Sequence, residues 1–479
     1  MNFKPIMRFY NEEQLAHLKD KIFELLEKRG VKMNHKKVMT LLHKEGAKVD
    51  FDGETVHFPR AFLEEQIEKA PKSFTLEGRN GKFPLTFPHP DGAFYTRLCT
   101  GGQTWLDPET GRYERVTLEN LAYWARLADR LEHIDYSPFL VPDDAPPATA
   151  DIHALKTMLE NAEKHIWIQP YTGESVEYLV KLLVAAAGGE DQLRQHPLAS
   201  WISCSLTPLV FKWMDLEIIL QGAGHGCAIQ PCSLPGSGVT GPITTAGSVI
   251  LSAAEDLVLL AVAQVVRPGT PIVATSLQFS GDMRTGRSLQ SSVESLRQSA
   301  LFPQLMQDAF GIPGQTYGTG CDSPDIDGQG MVERAMRAML MAGAGASVLG
   351  GAGQLETACT VSPIALAIDN EIFGMAKAII KEIGFDDDQL AWDELMNVEY
   401  GGQFLTTPHT FKHCRNVEKP INFTRQDRAG WATAGSRDLH ERVREYLRDI
   451  MKDAEPVALP RETRNAFSEI VKMADDKMC

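Results

Sequence analysis

Short apolar runs, each closed by a cluster of glycine and polar residues and followed by a longer stretch with apolar positions at helical spacing, recur from about residue 94 to residue 383. Apolar strands that end in glycine and alternate with helices are the pattern of parallel βα units. The repeat is clearest in four successive units between Cys227 and Thr357. Their strands fall at residues 227–233, 271–279, 314–319 and 346–353, and the helices after the first three run to about Val266, Phe310 and Ala344. Strands near residues 94, 135, 166 and 200 precede them, and a last helix from Pro363 to Ile383 follows. Eight strands, each followed by a helix, is the count of a closed (β/α)8 TIM barrel. An open doubly wound sheet is the alternative, but its edge strands should be shorter or more polar than these. The polar clusters fall at the carboxyl ends of strands, where ligand sites of such folds collect.

The flanks lack this rhythm. Residues 11–29 read as an amphipathic helix with Leu15, Leu18, Ile22, Leu25 and Leu26 on one face and Gly30 as its C-cap. Helices over 35–45 and 60–70 and a strand over 54–58 follow. We therefore expect a helical cap at 1–90, a barrel at 91–384 and a C-terminal extension at 385–479 packed on the barrel, with a charged amphipathic helix over 438–453.

Bulk properties narrow the class. A chain of 479 residues with 43% apolar and 23% charged residues is ordinary for a globular enzyme. A net charge of −15 argues against a nucleic-acid groove or an anionic membrane as partner. The eight cysteines form no CxxC pair and the N-terminus has no signal-peptide apolar core, so a reduced, cytoplasmic setting is expected. The most apolar helix, 242–266, carries Ser252, Glu255, Asp256 and Gln264, which makes it a core helix rather than a membrane span.

Three constellations are candidates for chemistry. His409 and His413 have the i, i+4 spacing of helical metal ligands but no carboxylate beside them in sequence, and no metal is assigned. Residues 235–242, with a GxGxxG arrangement at Gly236, Gly238 and Gly241, stand before the apolar helix. Its free N–H groups near Thr240 are a candidate anion receiver, with a plain N-cap turn as the alternative. The third is distributed over several strand ends. Tyr95, Tyr171, Phe279 and Tyr317 are candidates to cage a quaternary ammonium by cation–π attraction, with Gln169, Gln230, Gln278 and Glu356 beside them. Rings that merely plug a barrel are the alternative. No Ser-His-Asp order, G-x-S-x-G or Cys-His pairing offers a protein nucleophile.

Several stretches together resemble the trimethylamine methyltransferase family, and specifically its members without pyrrolysine. They are Asp107-Pro-Glu-Thr-Gly-Arg, Thr240-Gly-Pro-Ile-Thr-Thr-Ala-Gly, Ala254-Glu-Asp-Leu, Arg267-Pro-Gly-Thr-Pro-Ile-Val, Asp282-Met-Arg-Thr-Gly, the segment 322–333, Asp369-Asn-Glu, Phe404-Leu-Thr-Thr-Pro-His-Thr and Trp431. The resemblance implies a (β/α)8 methyltransferase that passes a methyl group from a methylated amine to the cobalt of a separate corrinoid protein, with no cofactor held tightly by the chain itself. The loop starting at Asp322, where the trimethylamine enzyme carries pyrrolysine, has only standard residues here. That shifts the implied substrate toward quaternary amines, glycine betaine foremost, with proline betaine, carnitine and γ-butyrobetaine as alternatives. Arg97 or the Thr240 turn is then a candidate receiver for the betaine carboxylate, with a buried structural pairing of Arg97 to a protein carboxylate as the alternative. A barrel aldolase or decarboxylase is a competing reading, but no lysine stands at a strand end for a Schiff base. A non-catalytic quaternary-amine-binding barrel is another, and a homo-oligomer is compatible with either.

Overall fold

The computed structural model describes residues 6–479. Eight parallel strands close on themselves in chain order: β1 (Tyr95–Leu98), β2 (Tyr136–Pro138), β3 (His165–Ile168), β4 (Ala199–Cys204), β5 (Ala228–Ser233), β6 (Ala274–Ser276), β7 (Gly314–Tyr317) and β8 (Val348–Ala352). The helices after them are α1 (Leu118–Arg130), α2 (Ala150–Asn161), α3 (Val176–Ala187), α4 (Trp213–Gly224), α5 (Thr245–Val266), α6 (Val293–Phe310), α7 (Gly328–Ala344) and α8 (Pro363–Ile380). The fold is the expected (β/α)8 barrel. Every strand residue is buried except Cys204, which is half-buried, because each strand has the barrel interior on one face and the helix ring on the other. Two apolar cores result. A large one lies between strands and helices, and a smaller one inside the barrel holds Tyr95, Tyr136, Trp167, Ile202, Cys232, Val273, Leu277 and Tyr317.

The amino-terminal end of the barrel is plugged by an antiparallel hairpin, Phe74–Leu76 with Leu85–Phe87, whose Leu76, Leu85 and Phe87 join the interior core. His165, at the start of β3, is fully buried there with Nδ1 2.7 Å from the Glu77 carbonyl. Burial pulls its pKa from 6.5 down to about 4, the Glu77 bond opposing only in part. The unfolded chain therefore binds more protons than the folded one between those values, so stability is lost as pH falls from 6.5 toward 4. The loss is about 3 kcal/mol, at about 1.4 kcal/mol per unit. Urea titrations at pH 7 and pH 4 should show the loss in wild type and a smaller one in His165→Gln; equal losses would refute it.

The region before the barrel is less purely helical than expected. Helices Glu12–Glu24, Lys36–Lys44 and Arg60–Lys69 are present, but so are three three-residue strands, Val31–Met33, Lys48–Asp50 and Thr55–His57, in one antiparallel sheet. Val210–Phe211, from the loop after β4, adds to that sheet in parallel. The three helices lie on α5. This explains a helix apolar on all sides: it is long and apolar enough to cross a membrane by composition, yet 83% of its most apolar window is buried inside the protein. After the barrel, helix Leu439–Met451 packs on α1 and α8, and helix Arg461–Met478 packs on α2 and α3.

Consecutive residues of α8 fasten three different parts of the chain. Asp369 pairs with Arg334 of α7 (2.5 Å) and accepts the Gly353 N–H (2.7 Å). The Asn370 side chain accepts the His133 N–H ahead of β2 (2.8 Å). The Glu371 carboxylate accepts the N–H groups of Asn422 and Phe423 in the extension (2.8 and 2.9 Å).

Candidate active site in the barrel core

Alternate residues of a strand share a face, so Tyr95 and Arg97 of β1 both point into the barrel. Arg97 crosses the interior and is fully buried. Its guanidinium carbon lies 4.2 Å from the Trp167 ring and 5.9 Å from that of Tyr317. Nη1 donates to the Leu98 carbonyl at 2.9 Å. The Gln315 amide turns its oxygen to Arg97 Nε (2.9 Å) and Nη2 (3.3 Å), since the opposite orientation would set donor against donor. Its nitrogen then donates to Gln230 Oε1 (3.2 Å) and Tyr136 Oη (2.5 Å). Gln230 Nε2 in turn donates to Ser200 Oγ (2.8 Å). Gly350 of β8 makes the room, because a Cβ there would come within 2.8 Å of Arg97 Cζ.

Every group bonded to Arg97 is neutral, and no salt bridge holds it among the described residues. A guanidinium out of water without a counter-ion is costly, by several kcal/mol even after relaxation. Beside it lies the ring of Tyr317, the last residue of β7, and Phe279 packs on Tyr317 edge to face, with centroids 6.4 Å apart at 74°. Burial pushes the Tyr317 hydroxyl's pKa upward, keeping it neutral, and pushes the Cys99 thiol beside this layer up to about 12.

The loops beyond these strands are bound to one another. Asp322 accepts the N–H groups of Gln290 and Ser291 and the Thr357 hydroxyl, all at 2.9 Å, and so ties the loops after β6, β7 and β8. The buried Gln354 donates to Gln290 Oε1 (3.0 Å). Glu356, Thr357 and Ala358 all have φ between 51° and 69°, a left-handed run disfavoured for residues with a Cβ, and above all for β-branched Thr357. On the opposite side, buried Glu255 of α5 accepts from Ser205 (2.5 Å), Thr207 (2.8 Å), Ser233 (2.6 Å) and the Leu209 N–H (2.7 Å). Its neighbour Asp256 accepts the Thr275 N–H (2.9 Å), and burial with the adjacent Glu255 charge raises its pKa well above the usual carboxylate range.

The structure regroups the sequence candidates. Arg97, Gln230 and Tyr317 meet in the interior layer, with Phe279 against Tyr317. Tyr95 does not reach the mouth: it opens β1, and its hydroxyl bonds both backbone groups of Thr86 in the floor hairpin (2.8 and 3.0 Å). Tyr171 is not with the other rings either. Three residues past the end of β3, it packs on Phe139 (6.0 Å) and bonds the Leu140 carbonyl (3.4 Å). Gln169 sits at the rim, accepting from Thr100 (3.0 Å). Gln278 is spent on Ser252 (2.7 Å) and Ser276 (2.6 Å), and Glu356 accepts from Thr360 (3.1 Å). Asp322 acts as a loop clamp. The turn at Thr240, a sequence candidate for receiving an anion, keeps its own N–H groups. α5 begins at Thr245 rather than near Pro242, and the N–H groups of Gly238, Val239, Thr240 and Gly241 all donate within their own turn. The Thr240 hydroxyl accepts from the Gly236 N–H (2.8 Å). Sequence reasoning missed Tyr136, Trp167, Gln315 and Gly350, although inward parity on β2, β3, β7 and β8 marks them once the strands are set.

A profile of the family described as trimethylamine methyltransferase (MTTB) matches residues 1–479. A trimethylamine methyltransferase MttB from Desulfitobacterium hafniense is 29% identical over 470 residues, covering 98% of this chain and 94% of that one. A glycine betaine methyltransferase from the same species is 28% identical over 464 residues, covering 96% and 95%. Among solved structures, the monomethylamine methyltransferase MtmB of Methanosarcina barkeri superposes with a TM-score of 0.54 at 11% identity, covering 99% of this chain and 90% of that one, a likeness of fold.

Proposed function

Because the chain belongs to the trimethylamine methyltransferase family and is a methyltransferase, we propose that it moves a methyl group from a carboxylate-bearing quaternary amine, glycine betaine foremost, to the Co(I) of a corrinoid carried by a separate protein. The products are dimethylglycine and methyl-Co(III). The N–CH3 bond breaks with its electron pair left on nitrogen, so a neutral tertiary amine departs, and the cobalt pair forms the new Co–CH3 bond. The partner's corrinoid supplies the nucleophile. This chain's residues have three tasks: to bind the cation, to hold one methyl in line, and to exclude water. Such positioning contributes about 7–11 kcal/mol of barrier lowering.

The observation that carries the substrate class is Arg97. A betaine brings the carboxylate that this buried guanidinium lacks, in bidentate geometry, while its trimethylammonium head lies against Tyr317 and Phe279, a contact worth about 0.5–2 kcal/mol. A simple methylated ammonium has no anion to offer. At about 6 Å from Arg97 it would meet a repulsion of about 3 kcal/mol at an effective dielectric constant of about 20. The ring cage is thus smaller than the sequence suggests, with Tyr95 and Tyr171 outside it and Trp167 committed to Arg97.

The test mixes purified protein, a reduced corrinoid protein and either glycine betaine or trimethylamine, and follows the cobalt absorbance and the amine product by NMR. Methyl-cobalt and dimethylglycine are expected from glycine betaine, with no turnover of trimethylamine. Turnover of trimethylamine with none of any betaine would sink the reading.

A further inference from the structure

Outside the barrel, the chain folds a donor set that its linear order does not disclose. His409 and His413 lie one helical turn apart on helix Pro408–His413, with ring centroids 4.3 Å apart. Asp388, twenty-one residues earlier, is brought against them: its Oδ2 is 3.2 Å from His413 Nε2, and its carbonyl oxygen is 2.7 Å from His409 Nε2. One ligand atom from each of the three residues falls within 4.8 Å of the others. Donors at the vertices of a tetrahedral zinc site with bonds of about 2.0–2.2 Å stand roughly 3.3–3.6 Å apart. The Asp388–His413 pair is already near that separation, and His409 would turn from the Asp388 carbonyl to complete the set. Lys412 holds the other carboxylate oxygen of Asp388 at 2.7 Å, leaving Oδ2 for an ion. In sequence these histidines have no carboxylate beside them, and the fold supplies one.

The surrounding segment needs such a tie. From residue 377 to residue 421 no residue is buried, and the two helices there, Trp392–Asn397 and Pro408–His413, have six residues each. Phe385, Trp392, Leu395, Tyr400, Leu405 and Phe411 are all exposed. A unit of about 40 residues without its own core is ordinarily held by a disulfide, a metal or a partner. All eight cysteines are free.

We propose that Asp388, His409 and His413 bind one divalent transition-metal ion, zinc by the imidazole and carboxylate donor set, with the fourth position left to water, and that the ion pins the loop after α8 to helix Pro408–His413. This site is separate from the barrel core and does not depend on the substrate assigned there.

The experiment uses the full chain freed of metal with a chelator and titrated with zinc chloride by calorimetry. Digestion by trypsin, which cuts after Lys412 and Arg415, is followed with and without zinc. One zinc per chain is expected, with binding weakened more than about 100-fold in His409→Gln, His413→Gln and Asp388→Asn, since even the outer partners of metal ligands are worth about 10–100-fold. His225→Gln, on α4's carboxyl end, should bind as wild type. Zinc should slow cleavage at those sites in wild type and not in the three variants, whose circular dichroism should match wild type because the segment is exposed. No binding at micromolar zinc, equal affinity in the variants, or cleavage indifferent to zinc would overturn the proposal.

Discussion

Arg97→Met should lower kcat/KM for glycine betaine by about 30- to 5,000-fold while leaving the unliganded protein as stable as wild type, or more so. The two effects have one cause. Removing one partner of a buried, hydrogen-bonded charge pair costs about 2–5 kcal/mol when the other partner is bound. In the unliganded protein the guanidinium has only neutral partners, and an apolar side chain of similar length relieves its desolvation. Glycine betaine should therefore raise the melting temperature of wild type and not that of Arg97→Met. Gly350→Ala tests the same layer without touching a charge. Its added methyl would meet Arg97 Cζ at 2.8 Å, so affinity should fall although every polar group remains. A variant at Arg97 that loses stability and binds betaine unchanged would assign the residue to folding alone.

Asp369→Ala should produce the largest loss of stability, about 3–5 kcal/mol of the 5–15 kcal/mol that a folded protein typically has. Both partners of the Arg334–Asp369 pair are fully buried. Deleting the carboxylate strands a guanidinium on α7 and frees the Gly353 N–H that Asp369 also holds, so the loop after β8 loosens with it. The double variant Arg334→Met/Asp369→Leu should recover most of the loss, because apolar groups of similar volume avoid the desolvation that the pair must offset. Chemical denaturation of the single and double variants measures the coupling. A loss below about 1 kcal/mol in Asp369→Ala would show that the pair contributes little.

What the sequence made legible follows from the range of each signal. Barrel strands between two apolar layers are continuous apolar runs, and all eight were readable, as was the helix Glu12–Glu24, which a π-helical turn over Leu25–Arg29 carries on to Gly30, whose φ of 65° only glycine adopts freely. The strands Val31–Met33 and Lys48–Asp50 are three residues long, too short for alternation to register. The site was half legible. Arg97 and Tyr317 stand out as a charge and a ring on apolar strands, but Tyr95 is a ring of the same kind two positions earlier. Only its place at the start of β1 sends it to the floor instead of the mouth. Tyr171 was lost to the loop geometry beyond β3, and the 235–242 turn because its N–H groups satisfy one another. Asp388 and the histidines were illegible together, since no local spacing links a loop carboxylate to a helix that begins twenty residues later.

The helices that cover α5 are made long before it. When residues 245–266 leave the ribosome, the segment from Glu12 to Lys69 is already outside and free to close over them. A nascent chain with an uncovered apolar span of 22 residues would offer insertion machinery and chaperones the same surface that a membrane anchor does. Order of synthesis thus has the shelter of this apolar helix already made when the helix itself emerges.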